Sequence, residues 1–91
     1  MIGPKSAASY SIKIKSSAAK ALRRIAPPDR SRVIDAIDRL ADAPFAGGVL
    51  KGEFSGLRRL RVGAYRVVYE VIEGQLVILV IRIGHRGRVY R

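Results

Sequence analysis

The chain has no cysteine and a single histidine in its 91 residues. Without cysteine there is no disulfide framework and no thiolate metal site. One histidine also excludes a His-rich zinc centre, so neither metal nor cofactor is expected. Acidic residues are scarce: 7 Asp+Glu stand against 18 Lys+Arg, for a net charge of +11. Long apolar runs are missing as well. The longest, residues 76–81, falls far short of the roughly 20 residues that cross a bilayer and reads as a buried strand. No apolar stretch follows the first five residues, so no signal peptide is expected and the cytoplasm is the expected location. Internal repeats and low-complexity tracts are absent.

What is present is enough for one small domain, residues 1–91. Hydrophobic residues make up 48% of the chain, which excludes simple disorder. The charge implies a polyanionic partner: nucleic acid, an acidic protein or an anionic membrane surface. The plainer alternative is that charge only keeps the chain soluble, although either sign would serve that purpose.

Residues 10–15, Tyr10-Ser11-Ile12-Lys13-Ile14-Lys15, alternate apolar and polar and predict a strand with one wet face. Ser16-Ser17 offers an N-cap, followed by Ala18, Leu22 and Ile25 at helical spacing. Pro27-Pro28 is expected to end that helix and Asp29 to cap the next, whose apolar stripe is Val33, Ile37, Leu40 and Ala41. Pro44 to Gly52 reads as a loop. Strands are then expected over about 57–62, 65–72 and 75–83, joined by tight turns at Gly63-Ala64 and Glu73-Gly74. The predicted fold is α+β: an N-terminal strand, a two-helix hairpin, then a three-stranded antiparallel meander. Together they form one twisted sheet with the helices on one face.

Register arithmetic on the first hairpin gives the sharpest functional signal. A two-residue loop at Gly63-Ala64 opposes Val62 to Tyr65, Arg61 to Arg66, Leu60 to Val67 and Arg59 to Val68. Opposed residues share a face. Leu60, Val62, Tyr65, Val67 and Tyr69 then face the helices, and Arg59, Arg61 and Arg66 face away. A direct Arg61–Arg66 pair destabilises a sheet, which makes sense where an anion sits. Guanidiniums grip phosphate in fork geometry and stabilise charge developing on it. The other reading is a solvated basic face, partly matched by Glu70 and Glu53. The last strand is apolar on both sides, which would set Val77 and Leu79 beside Val68 near the arginines. Such a floor calls for cover, by a partner's helix or by the chain's own terminal segments.

If the anion is RNA, the accessible reaction is attack of a 2′-hydroxyl on the adjacent phosphate. His85 has the chemistry of an acid or base, or is plain polar surface. Arg86 and Arg88 offer further phosphate contacts. Tyr90 suits stacking on a base or closing the core. Lys51, in Leu50-Lys51-Gly52, suits backbone phosphate or is an ordinary loop lysine. There is no Gly-rich phosphate loop and no Ser-His-Asp signal.

Taken together, these segments resemble the RelE/ParE toxin superfamily nearly end to end, from Tyr10 to Tyr90. The resemblance is carried by Ser17-Ala18-Ala19-Lys20-Ala21-Leu22, Leu50-Lys51-Gly52, Gly84-His85-Arg86 with Val89-Tyr90, and above all the hairpin Leu57-Arg58-Arg59-Leu60-Arg61-Val62-Gly63-Ala64-Tyr65-Arg66-Val67-Val68-Tyr69. It implies the toxin of a type II toxin–antitoxin module. In the RelE branch such a toxin enters the ribosomal A site, cuts mRNA there and is neutralised by a cognate antitoxin. The implied catalytic set is Arg59, Arg61, Arg66, Arg86 and Tyr90, with His85 available as acid or base. Arg66 is implied to hold the scissile phosphate, Arg86 to act on phosphate or leaving group, and Tyr90 to stack on the nucleotide. Lys51, Arg58 and Arg88 are the expected RNA contacts. The implied partners are the ribosome, mRNA and an antitoxin whose acidic segment lies over the sheet face and arginine cluster; no membrane is involved. Lysines that the RelE branch carries on the second strand are replaced by Leu57 and Arg59, and an arginine hardly ever deprotonates, so Arg59 is a poor base. The ParE branch shares the fold but inhibits DNA gyrase and cuts no RNA. Retention of Arg86 and Tyr90 favours the RelE-like activity.

Overall fold

A computed structural model describes residues 9–52 and 56–85. Strand β1 (Ser11–Ile14) leads into helices α1 (Ser16–Arg23) and α2 (Pro27–Arg39). Strands β2 (Gly48–Val49), β3 (Arg58–Val62), β4 (Tyr65–Ile72) and β5 (Val77–His85) follow. The sheet order is β1-β5-β4-β3-β2. The expected α+β architecture is present, with one strand more than anticipated. β2 forms inside the segment read as loop, by pairing Gly48 with Arg59 and Val49 with Arg58. Two residues are too few to leave a period-2 signal. The meander is antiparallel, while β1 lies parallel to β5, with Ile12 opposite Ile78 and Ile14 opposite Val80. No helix among the described residues is long and apolar enough to cross a membrane.

The helices start differently from expectation. Neither Ser16 nor Asp29 acts as a cap: the N-cap positions are Lys15 and Ala26, without side-chain cap bonds. Pro27 and Pro28 begin α2 instead of only ending α1. A proline ring presets a helical φ, and its missing N–H falls where the first turn has no acceptor for it anyway. Asp29 sits in that first turn, where its charge favours the helix dipole.

Both helices bury their apolar stripe against one side of the sheet. Ala18, Ile25, Val33, Ile37 and Leu40 meet Val67, Tyr69, Ile78, Val80 and Ile83. The other side carries no helix among the described residues. The β3–β4 turn is Gly63-Ala64 as expected, with Gly63 at φ +58°, a conformation that glycine adopts freely. The β4–β5 connection is longer than the predicted Glu73-Gly74 turn. A 3₁₀ turn over Glu73–Gln75 is followed by Leu76 in the left-handed region at φ 55°.

Tyr69 ties the 44–48 segment to the sheet. It is wholly buried, donates to the Pro44 carbonyl (2.8 Å) and accepts from the Gly47 N–H (2.9 Å). Arg58 donates to the Gly47 carbonyl (2.7 Å) and lies over the Phe45 ring at 4.9 Å. A Cβ on Gly47 would sit 2.6 Å from the Arg59 carbonyl oxygen and 2.8 Å from the Tyr69 hydroxyl, so only glycine fits. Burial pushes the Tyr69 phenol up, outweighing the opposing effects of the Gly47 N–H and Arg58.

Tyr69→Phe strands both the Gly47 N–H and the Pro44 carbonyl, and is expected to lower unfolding free energy by about 1–3 kcal/mol in urea titration. The raised phenol also predicts a pH effect. The unfolded phenol ionises near pH 10 while the folded one still holds its proton, so stability is intact below about pH 10 and falls as pH rises past it. Urea midpoints measured from pH 8 to 11 should drop more steeply for wild type than for Tyr69→Phe.

Candidate functional site

On the helix-free side, the hairpin register is the one deduced above. Arg61 opposes Arg66, Leu60 opposes Val67 and Arg59 opposes Val68. Arg59, Arg61 and Arg66 therefore share one face, away from the core side chains Val67 and Tyr69. Arg61 is exposed, whereas Arg59 and Arg66 are half-buried. The Nε of Arg66 is buried and has no hydrogen-bond acceptor among the described residues. Glu70 lies on the same face two residues from Val68 but makes no ion pair with these arginines; Glu53 lies outside the described residues.

A bulge changes what stands beside the hairpin. Val68 pairs with Arg82, but Tyr69 pairs with Val80, leaving Ile81 without a partner. An extra residue of this kind re-aims the side chains around it. Ile78 and Val80 face the core before the bulge and Ile83 faces it afterwards. Arg82 is thereby delivered to the arginine face. Val77 and Leu79 do not lie beside Val68 as expected; they pair with Ile72 and Glu70, and Arg82 takes the place beside Val68. Arg82 is invisible to pattern reasoning, because uninterrupted alternation from Val80 puts it on the core side.

The face thus consists of two rows across the sheet. Arg61, Arg66 and Gly84 make one; Arg59, Val68 and Arg82 make the other. Four arginines, Arg59, Arg61, Arg66 and Arg82, thus surround Val68, which is buried, and Gly84. None of the four has a hydrogen bond or ion pair to another described residue. Such a face can hold anions and stabilise charge building up on them.

Two expected site residues lie elsewhere. His85 pairs with Tyr65 and meets its ring edge-on at 5.6 Å between centroids. Tyr65 is on the helix side, so His85 is separated from the arginines by the sheet. There it lines a cleft of about 400 Å³ with Ala21, Arg24, Ile25 and Ile83. Arg58 also faces the helix side, opposite Tyr69, and is engaged by the 44–48 carbonyls. Lys51 is exposed in the segment after β2. Arg86, Arg88 and Tyr90 lie outside the described residues.

Residues 12–90 match the family model described as the ParE toxin of the type II toxin–antitoxin system parDE. The chain belongs to the RelE/ParE toxin family. It is similar to toxin RelG of Mycobacterium tuberculosis, with 26% identity over 84 residues that cover 90% of this chain and 97% of that protein. The fold is shared with the archaeal RelE of the RelE–RelB complex from Pyrococcus horikoshii, at 32% identity and a TM-score of 0.75, covering 89% and 99% of the two chains. It is shared also with isolated RelE toxin from E. coli, at 25% identity and a TM-score of 0.74, covering 90% and 92%. The protein is thus a RelE-family toxin of a type II toxin–antitoxin system.

The direct Arg61–Arg66 pairing predicts a stability penalty in this toxin that can be measured. Arg61→Thr removes the like-charge pair with Arg66 and puts a good strand former in its place. The variant is expected to be more stable than wild type by up to about 1 kcal/mol in urea denaturation at low salt, with the gain shrinking as salt screens the pair. A variant less stable than wild type would show that the two guanidiniums do not oppose folding.

Proposed function

We propose that this toxin is a ribosome-dependent endoribonuclease that cleaves mRNA in the ribosomal A site, stops translation in the cytoplasm and is neutralised by a cognate antitoxin. The observation that carries the reading is the convergence of Arg59, Arg61 and Arg66 on one sheet face, with the buried Arg66 Nε lacking an acceptor among the described residues.

The reaction is an internal transesterification. The 2′-oxygen attacks the neighbouring phosphorus, the P–O5′ bond breaks, and the products are a 2′,3′-cyclic phosphate and a 5′-hydroxyl end. Arg66, with Arg61 beside it, holds the scissile phosphate and stabilises the extra negative charge of the pentacoordinate state. Arg59 adds positive charge but no base, since a guanidinium keeps its proton. His85 stands across the sheet from Arg66, so the base on this reading is Tyr90 or a water. Arg86 acts on the phosphate or leaving oxygen, Tyr90 orients the nucleotide, and Lys51 and Arg88 hold flanking backbone. Arg58, tied to the 44–48 carbonyls, supports the site from behind. The antitoxin lays an acidic segment over the arginine face and so removes the RNA site while relieving its self-repulsion.

The match to a ParE model favours a second reading, a gyrase-binding toxin without nuclease activity. One assay separates the two. In cell-free translation with 5′ ends mapped by primer extension, wild type is expected to create new ends within codons only when ribosomes are present. Arg66→Ala should reduce the cleavage rate on the order of 10²–10³-fold. Intact message together with blocked supercoiling by gyrase would establish the second reading instead.

A further inference from the structure

We propose that Arg82 is a second backbone-phosphate contact, one nucleotide step from the scissile phosphate, so that the toxin grips two consecutive phosphates of a single RNA strand. The inference rests on the nuclease reading for the position of the scissile phosphate and on the bulge for everything else.

The row Arg59–Val68–Arg82 lies two residues along the strands from the row Arg61–Arg66–Gly84. Two strand residues span about 6.7 Å, which matches one nucleotide step of an extended single strand. Within its row, Arg82 is two strands from Arg59, about 10 Å away. A phosphate lying over this row, whose central Val68 is itself buried, is then flanked by a guanidinium on each side. Gly84 in the neighbouring row adds no side chain beside Arg82. Arg82 is exposed and has no hydrogen bond or ion pair with another described residue. Without the unpaired Ile81 it would turn to the helix side. Bulges gather where a side chain has to be re-aimed, and here the one that is re-aimed is a cation. Arginine also suits a phosphate better than lysine does, because its fork binds two oxygens at once.

The test uses the full chain carrying Arg82→Gln, with Arg82→Lys and Arg39→Gln as companions. Arg39 lies at the end of α2, on the helix side of the molecule. Binding of a labelled oligouridine is followed by anisotropy over a salt series. The logarithmic salt slope of Arg82→Gln should be smaller than that of wild type by about 0.7, the change expected when one phosphate fewer is neutralised on a single strand. Arg39→Gln should leave the slope nearly unchanged, and Arg82→Lys should restore it because the charge is kept. With programmed ribosomes, Arg82→Gln should raise KM about tenfold and leave kcat within about twofold, because its phosphate is not the reacting one. Matching thermal melts establish that each variant folds.

An unchanged slope and KM in Arg82→Gln, with wild type binding and cleaving normally, would overturn the proposal and leave the nuclease reading standing. So would an unchanged slope and KM accompanied by weaker neutralisation by the antitoxin, since Arg82 would then serve a protein partner. If wild type cleaves no message but the slope still falls by about 0.7, the phosphate contact stands and the nuclease reading fails. If wild type does not bind the oligouridine, the proposal fails with it.

Discussion

The pairing of Leu60 with Val67 across the Gly63-Ala64 turn is the constraint on which the rest depends. Side chains alternate sides along a strand, so a slip of one residue would exchange the two faces of the hairpin. Arginines would then press into the helices, and Leu60 and Val67 would meet water. Burial of Val67 and Tyr69 against Val33, Ile37 and Leu40 forbids that slip. The same apolar contacts that fold the domain therefore force Arg59, Arg61 and Arg66 together, against their mutual repulsion. Their clustering needs no attraction among them, and it is maintained by a core on the opposite side of the sheet.

A second constraint acts from the core side. Tyr69 reaches under the 44–48 segment and satisfies one N–H and one carbonyl there, while Arg58 satisfies the carbonyl of Gly47. That segment carries β2, which pairs directly with Arg58 and Arg59. The backbone bearing Arg59 is thereby held from both sides, by β4 and by β2. Adjacent arginines in the sequence have opposite jobs: Arg58 fastens the scaffold on the helix side, and Arg59 presents charge on the open side. A count of basic residues cannot make that distinction, but strand alternation can.

How much can be read from the sequence follows from where period-2 alternation holds. It holds through β3 and β4, so every pairing in that hairpin is legible from the turn and the apolar pattern. It breaks at Ile81, where an unpaired residue sits in an unbroken run of apolar side chains and leaves no mark. Pattern alone misses Arg82 for that reason, and it sets Val77 and Leu79 beside the wrong neighbours. Chemistry and nearness in the chain group His85 with the arginines. The register sets it on the other side of the sheet, beside Tyr65. β2 escapes notice because its two residues are a strand only by virtue of the partner they meet. The two prolines carry both meanings, end of one helix and start of the next, and reading only the first displaces the beginning of α2.

The two sides of the sheet divide the demands on a small toxin. The helix side collects most of the apolar burial, whereas the open side buries Val68 and Val77 and carries the charge. That division allows four guanidiniums to gather around Val68 and Gly84 without a carboxylate among the described residues to pair them. A face of this kind is disfavoured when bare and stabilised by any polyanion that covers it. On the proposed function, substrate and inhibitor would compete on the same electrostatic terms: an acidic protein segment and an RNA strand would both relieve the repulsion, so whichever binds would exclude the other without any change in the fold. Neutralisation would then need only occupancy of this face, because the core behind Val67 and Tyr69 holds the arginines in register whether the face is covered or bare.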